Sequence, residues 1–278
     1  MLSIKNLEVT LNKKNILDLE EETINIRSNE KVAVLGVNGA GKTTFINTIL
    51  DIIPYKGEII RDFSTDEISV IFQKNNYNDL FKVKELVTLV TEFSPKTEEF
   101  SNFVSTYHLE HITDSLIKDL SGGENQLLTL ALSLFNECKL YIFDEITSGL
   151  DYEKRLNLMT TIKEQTKNNT VIMISHYFED VENWADRIII LDKGRLKFDG
   201  NIELFYKVYS HYLTIIIDSS VVLPSEYFYL ALNGKTQVFL FSENEERNLI
   251  KYLNENKITY NTKLPNFGSY YVLALNKN

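Results

Sequence analysis

The chain has 278 residues, with 29 Lys plus Arg against 39 Asp plus Glu, a formal net charge of −10 at pH 7. Hydrophobic residues make up 44% and charged residues 24%, which excludes a disordered chain, and the acidic balance argues against a nucleic-acid partner. The one cysteine, Cys138, excludes an internal disulfide and a multi-cysteine metal site, and its apolar neighbours read it as a buried, inert thiol.

In chain order, alternating apolar residues predict strands over 2–9 and 23–26. The apolar run 31–35 enters a glycine cluster, and a helical pattern follows over 42–50. Short strands are expected over 58–60 and 68–72. Residues from about 74 to 135 read as helices, over 83–93, 97–107 and 124–136. Strand and helix then alternate: a strand at 140–143, a helix at 152–167, a strand at 171–174, a helix at 178–185, and strands near 188–191 and 195–198. This alternation argues an α/β core on a mostly parallel sheet, with the helical segment as an insertion. From about residue 206 a small α+β appendage is expected, with strands over 212–218, 237–241 and 270–275 and a helix over 243–256. No apolar run approaches the ~18 residues of a membrane span. The first residues carry no signal-peptide pattern, so the expected compartment is the cytoplasm.

Three segments carry chemistry. The run Gly36-Val37-Asn38-Gly39-Ala40-Gly41-Lys42-Thr43-Thr44 has the P-loop pattern between an expected strand and an expected helix. Its glycines let successive N–H groups turn toward phosphate oxygens, and the helix start adds partial positive charge. Lys42 would reach the β- and γ-phosphates, Thr43 would ligate Mg²⁺, and Thr44 would contact the α-phosphate. The strand Leu140-Tyr141-Ile142-Phe143 ends in Asp144-Glu145. Alone, such an acidic pair is commonly structural. After a P-loop it places Asp144 at the metal and Glu145 within one water of phosphorus, as the base or orienting group. Leu120-Ser121-Gly122-Gly123-Glu124 opens an apolar helix. It reads equally as a helix cap and as a second anion site.

These motifs, in order, resemble the nucleotide-binding subunit of the ATP-binding cassette (ABC) transporter family over residues 1 to about 205. Residues 36–44 resemble its Walker A motif, 141–145 its Walker B and 120–124 its signature sequence. Gln73 matches the Q-loop glutamine, Ser148-Gly149-Leu150-Asp151 the D-loop, and His176 the switch histidine. The resemblance implies a P-loop NTPase core, an antiparallel β subdomain and the helical insertion, with residues 206–278 as the appendage. It implies ATP and Mg²⁺ as cofactors. Asn38, Gly39, Ala40, Gly41, Lys42, Thr43 and Thr44 would bind ATP; Thr43, Gln73 and Asp144 would serve the metal. Glu145, His176 and Gln73 would serve hydrolysis. Two cassettes would pack head to tail, so that Ser121, Gly122, Gly123 and Asp151 reach ATP held by the other.

The resemblance further implies a dimer, a separate integral membrane subunit, and a place on the cytoplasmic face of the membrane. It is closest to bacterial export systems for peptides or drugs. The competing reading is a non-transport ABC-type ATPase of translation, repair or cofactor assembly. The sequence departs from the family at the adenine contact, where Leu11 stands at the position of the usual aromatic. Glu124 replaces a common Gln, Leu127 stands where Arg is frequent, and Ile146 where Pro is common. Tyr77, Leu80 and Phe81 lie where a membrane subunit docks in the family, or are core of the insertion.

Overall fold

A computed structural model describes residues 2–72, 77–232 and 234–276. The chain divides into two compact units, Met1–Gly200 and Asn201–Asn278.

The first unit opens with β1 (Leu2–Leu11), β2 (Lys14–Ile26) and β3 (Lys31–Leu35), then α1 (Lys42–Ile49), β4 (Lys56–Arg61) and β5 (Ile68–Ile71). The helical segment holds α2 (Val83–Thr91), α3 (Glu98–Thr106) and α4 (Gly122–Phe135). β6 (Leu140–Asp144), α5 (Tyr152–Gln165), β7 (Thr170–Ile174), α6 (Phe178–Glu182), β8 (Arg187–Asp192) and β9 (Arg195–Asn201) follow. A six-stranded sheet has the order β5-β6-β7-β3-β8-β9, and β3, β5, β6, β7 and β8 pair in parallel. Parallel strands covered on both faces are apolar throughout. Accordingly all five residues of β3 and all five of β6 are buried. A three-stranded antiparallel sheet, β2-β1-β4, packs its apolar residues into the same core as β3 and α1. The helical segment has its own apolar cluster, built on Val83, Val87, Phe100, Phe103, Leu109 and Leu128. Tyr77 and Phe81 pack against that cluster, whereas Leu80 is 72% exposed. Among the described residues, no helix is long and apolar enough to cross a membrane.

Strand order decides where the chemistry collects. β6, β7 and β3 are neighbours and run parallel, so their carboxyl ends share one edge. Asp144 pairs with Ile174, and Ile174 with Val34, so the three ends are level. Open α/β sheets bind ligands outside this edge.

The second unit begins with α7 (Ile202–Tyr209) and β10 (Leu213–Asp218), then β11 (Phe228–Leu232), β12 (Lys235–Leu240), α8 (Glu243–Glu255), β13 (Asn261–Lys263) and α9 (Phe267–Asn276). Its four strands form an antiparallel sheet, β11-β12-β10-β13, and Leu249 and Leu253 of α8 share an apolar cluster with Ile215 and Val238. The division falls a few residues before the position read from sequence, because α7 packs on α9 through Phe205 and Phe267, whose rings are 5.1 Å apart. Residues 270–275, expected as a strand from their Tyr and Val content, are helical. The helix entry explains it: the Ser269 N–H donates to Asn266 Oδ1, and the Asn266 N–H donates back to Ser269 Oγ. That reciprocal cap and the packing of Phe267, Tyr271 and Leu273 override β propensity.

Candidate active site

The phosphate-binding loop leaves β3 and closes on α1. Gly41 has φ +103°, a left-handed conformation, and a Cβ added there would sit 2.6 Å from Leu17 Cδ2. The position therefore requires glycine on two counts. Lys42 is buried and its ammonium is folded onto the loop, donating to the carbonyls of Gly36 at 2.8 Å and Val37 at 3.2 Å. Burial lowers the Lys42 pKa below the ordinary lysine value, while Glu145 and Asp144 pull it back up.

Glu145 follows β6 and His176 follows β7. Their side chains meet, His176 Nε2 lying 2.5 Å from Glu145 Oε1. The Glu145 backbone is left-handed, φ +54°. For a residue with a Cβ this costs on the order of 1–3 kcal/mol and persists only where the surroundings enforce it. The Glu145 N–H donates to Ile174 O at 3.0 Å, and the Ser148 N–H donates to Glu145 O at 2.9 Å. These bonds lock the turn. Asp144 is buried; burial first, then the neighbouring Glu145 charge, raise its pKa, against Lys42 and His176.

One cavity of about 580 Å³ joins these groups. Asn38, Gly39, Gly41, Lys42, Thr43 and Thr44 line it, and Glu145 and His176 complete it. Ala40 is buried beside them, and its carbonyl accepts from the Gly194 N–H at 3.0 Å. The apolar wall comes from Ile16 on β2. Leu11, expected at the base, ends β1 half-buried against the sheet core and does not line this cavity. The apolar wall lies one strand further on, on β2 rather than β1. Gln73 lies outside the described residues.

Oxygen donors fit Mg²⁺. Thr43 offers a hydroxyl in the cavity and Asp144 a buried carboxylate. Among the described residues no group of three or more His, Cys, Asp or Glu could hold a metal on its own. That suits an ion that takes one or two protein oxygens and fills the rest of its shell from phosphate and water.

Ser121 and Gly123 line a different cavity, of about 790 Å³, with Lys154 and His111 at its wall. Ser121 caps α4: its N–H donates to Glu124 Oε2 at 2.7 Å and its hydroxyl accepts from the Glu124 N–H at 3.4 Å. Glu124 also meets His111 Nε2 at 3.4 Å. The glutamate in place of the usual Gln thus closes a capping box. Gly122 opens the same helix, and Asp151 caps α5 by accepting from the Lys154 N–H at 3.0 Å. Among the described residues, the cavity of Ser121 and Gly123 and that of the phosphate loop are lined by different residues.

Cys138 is half-buried, and burial raises its pKa, with Glu67 adding to the rise. Sequence reasoning passed over Ile16 and over Asp180, a buried carboxylate beside Thr147. The available signal for Asp180 was a charge in a short segment that also carries Phe178, Val181 and Trp184.

A parallel sheet, a phosphate loop after one strand, and a carboxylate and an imidazole after its neighbours define a P-loop ATPase. The sequence profile of the ABC transporter family matches residues 19–148. The nickel import system ATP-binding protein NikE of Staphylococcus aureus is 30% identical over 227 residues, covering 77% of this chain and 96% of that protein. The lacticin-481/lactococcin-DR transport/processing ATP-binding protein of Lactococcus lactis is 30% identical over 194 residues, and the match spans only 28% of its length. CbiO1 of Clostridium perfringens, part of the ABC transporter complex cbiONQ, superposes with a TM-score of 0.63 at 25% identity, over 74% of this chain and 93% of CbiO1. The chain belongs to the ABC transporter family as an ATP-binding subunit, and this family's cassette hydrolyses ATP to power transport.

Proposed function

We propose that this subunit hydrolyses Mg-ATP in the Lys42–Glu145–His176 cavity to drive a separate integral membrane subunit, on the cytoplasmic face of the membrane. The contact that carries the reading is His176 Nε2 at 2.5 Å from Glu145 Oε1, in the same cavity as Lys42 and Thr43. Entering phosphate draws Lys42 off the Gly36 and Val37 carbonyls and replaces them with stronger, charge-assisted partners. The N–H groups from Asn38 to Thr43 hold the β- and γ-phosphates at the start of α1, and Thr44 contacts the α-phosphate. Glu145 takes the proton of the attacking water, and His176 holds that carboxylate and the γ-phosphate in line. Thr43 and Asp144, with Gln73, would hold Mg²⁺, which would neutralise phosphate charge.

Ser121, Gly122, Gly123 and Asp151 act across a dimer. Their separation from the phosphate cavity within one chain supports this, because a second cassette is then needed to bring Ser121 and Gly123 to the nucleotide. Export of a peptide or drug-like cargo is the direction the motifs suggest, and the lacticin relative is in keeping with it. Import is the second reading, favoured by the NikE match over 96% of that protein. Co-purification with the membrane subunit, reconstitution in vesicles and measurement of ATP-dependent cargo movement test both the coupling and its direction.

A further inference from the structure

The Glu145–His176 contact has no covalent support, and one of its partners sits on a left-handed backbone. A second polar cluster holds the segments on either side of it. Asp180, on α6, is 6% exposed. Its Oδ2 accepts from Thr147 Oγ at 3.0 Å and from Ser175 Oγ at 3.5 Å. Thr147 lies two residues after Glu145, and Ser175 directly before His176. The Ser175 hydroxyl also accepts from the Tyr177 N–H at 3.0 Å, which clamps the backbone on both sides of His176. The other carboxylate oxygen, Oδ1, meets Arg155 Nε at 3.4 Å. Arg155 stands on α5, whose first turn is capped by Asp151. Its guanidinium lies 4.2 Å over the Tyr177 ring and pairs with Glu179 at 2.7 Å.

We propose that Asp180 is a positioning residue for hydrolysis, tying Thr147 to Ser175 so that Glu145 and His176 meet, and linking this pair through Arg155 to the helix that begins at Asp151. This rests on the reading of Glu145 and His176 as the hydrolytic pair. Asp180 is not among the residues lining the phosphate-loop cavity. Past the Glu145 N–H to Ile174 O bond at 3.0 Å, the peptides after β6 and β7 leave their strands at the sheet edge. A buried carboxylate accepting one hydroxyl from each segment adds a second cross-tie further along both segments. Its loss leaves only the Glu145–Ile174 backbone bond to hold the two segments in register, and a displacement of about 1 Å in a reacting group can cost 10²-fold in rate. The phosphate loop has no bond to this cluster among the described contacts, so ground-state nucleotide binding is left alone.

The experiment is steady-state ATP hydrolysis by the full chain, with ATP affinity measured separately by fluorescent-nucleotide titration and folding by thermal melting. Asp180→Ala should lower kcat about tenfold or more, with KM and the ATP Kd within twofold of wild type. Asp180→Asn keeps an acceptor for Thr147 and Ser175 and should recover most of that loss. Should Asp180→Ala fail to fold, Thr147→Val removes one hydroxyl at nearly constant volume and decides the matter by the same split. A kcat within twofold of wild type, or Kd and KM moving together with kcat, overturns the proposal. Glu145→Gln is run alongside. If it is inactive while the Asp180 and Thr147 variants turn over normally, only the positioning role falls. If it hydrolyses ATP at the wild-type rate, the hydrolytic pair falls and the proposal with it.

Discussion

His176 Nε2 stands 2.5 Å from Glu145 Oε1, a contact made across two parallel strands by residues 31 positions apart in sequence. It exists because β6 and β7 are neighbours with level ends, and because the left-handed turn at Glu145 aims its carboxylate along the sheet edge. In the proposed mechanism the imidazole holds this carboxylate in the cavity that Lys42 and Thr43 also line.

Changing Glu145 to Gln keeps the size of the side chain and removes its basicity. ATP hydrolysis should fall by about 10²–10⁴-fold, the scale of general-base loss. Nucleotide binding through Lys42 and Thr43 should survive, and the variant should collect as an ATP-bound dimer. Lys42→Ala should instead weaken nucleotide binding and form no such dimer. Phosphate release and size-exclusion chromatography with Mg-ATP measure both, and a dimer that forms without nucleotide would argue against ATP holding the two head-to-tail cassettes together.

The base is the second test. Among the described residues, Ile16 is the one large apolar side chain lining this cavity, and an aliphatic wall lacks the roughly 0.5–1.5 kcal/mol that aromatic stacking adds. Wild type should bind ATP modestly and discriminate weakly against GTP. Ile16→Tyr should tighten ATP binding by several-fold, whereas Leu11→Tyr, at a position packed on the sheet core, should not. Dissociation constants for both nucleotides in the three proteins decide it; a response to Leu11→Tyr alone would return the base to β1.

Gly41→Ala probes the loop itself. The new methyl group would meet Leu17 Cδ2 at 2.6 Å and Ile16 O at 3.3 Å, on a φ of +103°. A left-handed backbone costs an L-residue about 1–2 kcal/mol before any clash is counted. Either β2 or the loop must shift, so ATP affinity should drop about tenfold or more. Calorimetric titration reads this directly, and an unchanged affinity would mean that the loop reorganises freely.

The site was legible where chemistry is local. Lys42 and Thr43 follow their glycines within a few residues, and Asp144 and Glu145 end an apolar run, so chain order alone announces them. Ile16 and Asp180 were not legible, because the contacts of each are made across a strand or helix pairing that the linear pattern does not contain. Ile16 depends on β2 lying beside the phosphate loop, and Asp180 on hydroxyls at positions 147 and 175 arriving together. The helix at Phe267–Asn276 was hidden for a different reason: its Tyr-Tyr-Val core favours strands, and the deciding signal was the small cap between Asn266 and Ser269.

His211 gives the last prediction, in the second unit. The ring is buried between Phe239 and Tyr270, with centroids 5.3 and 5.4 Å away. Its Nε2 lies 2.9 Å from Thr214 Oγ and its Nδ1 3.4 Å from Tyr209 O. Burial lowers its pKa below the ordinary 6.5, only partly offset by the Tyr209 carbonyl. The folded unit therefore resists the proton that the unfolded chain accepts. As pH falls below about 6.5, the unfolded state binds more protons, and stability declines until the folded ring also titrates. Asp144 and Asp180, whose pKa values are raised by burial, act in the opposite sense at lower pH, since their folded forms take up protons first. Comparison of variants isolates the histidine. In urea unfolding at pH 7.5 and 5.5, followed by hydrogen exchange of residues 205–240, wild type should lose more stability on acidification than His211→Gln. Equal losses in the two proteins would show that His211 is protonated without cost in the folded unit.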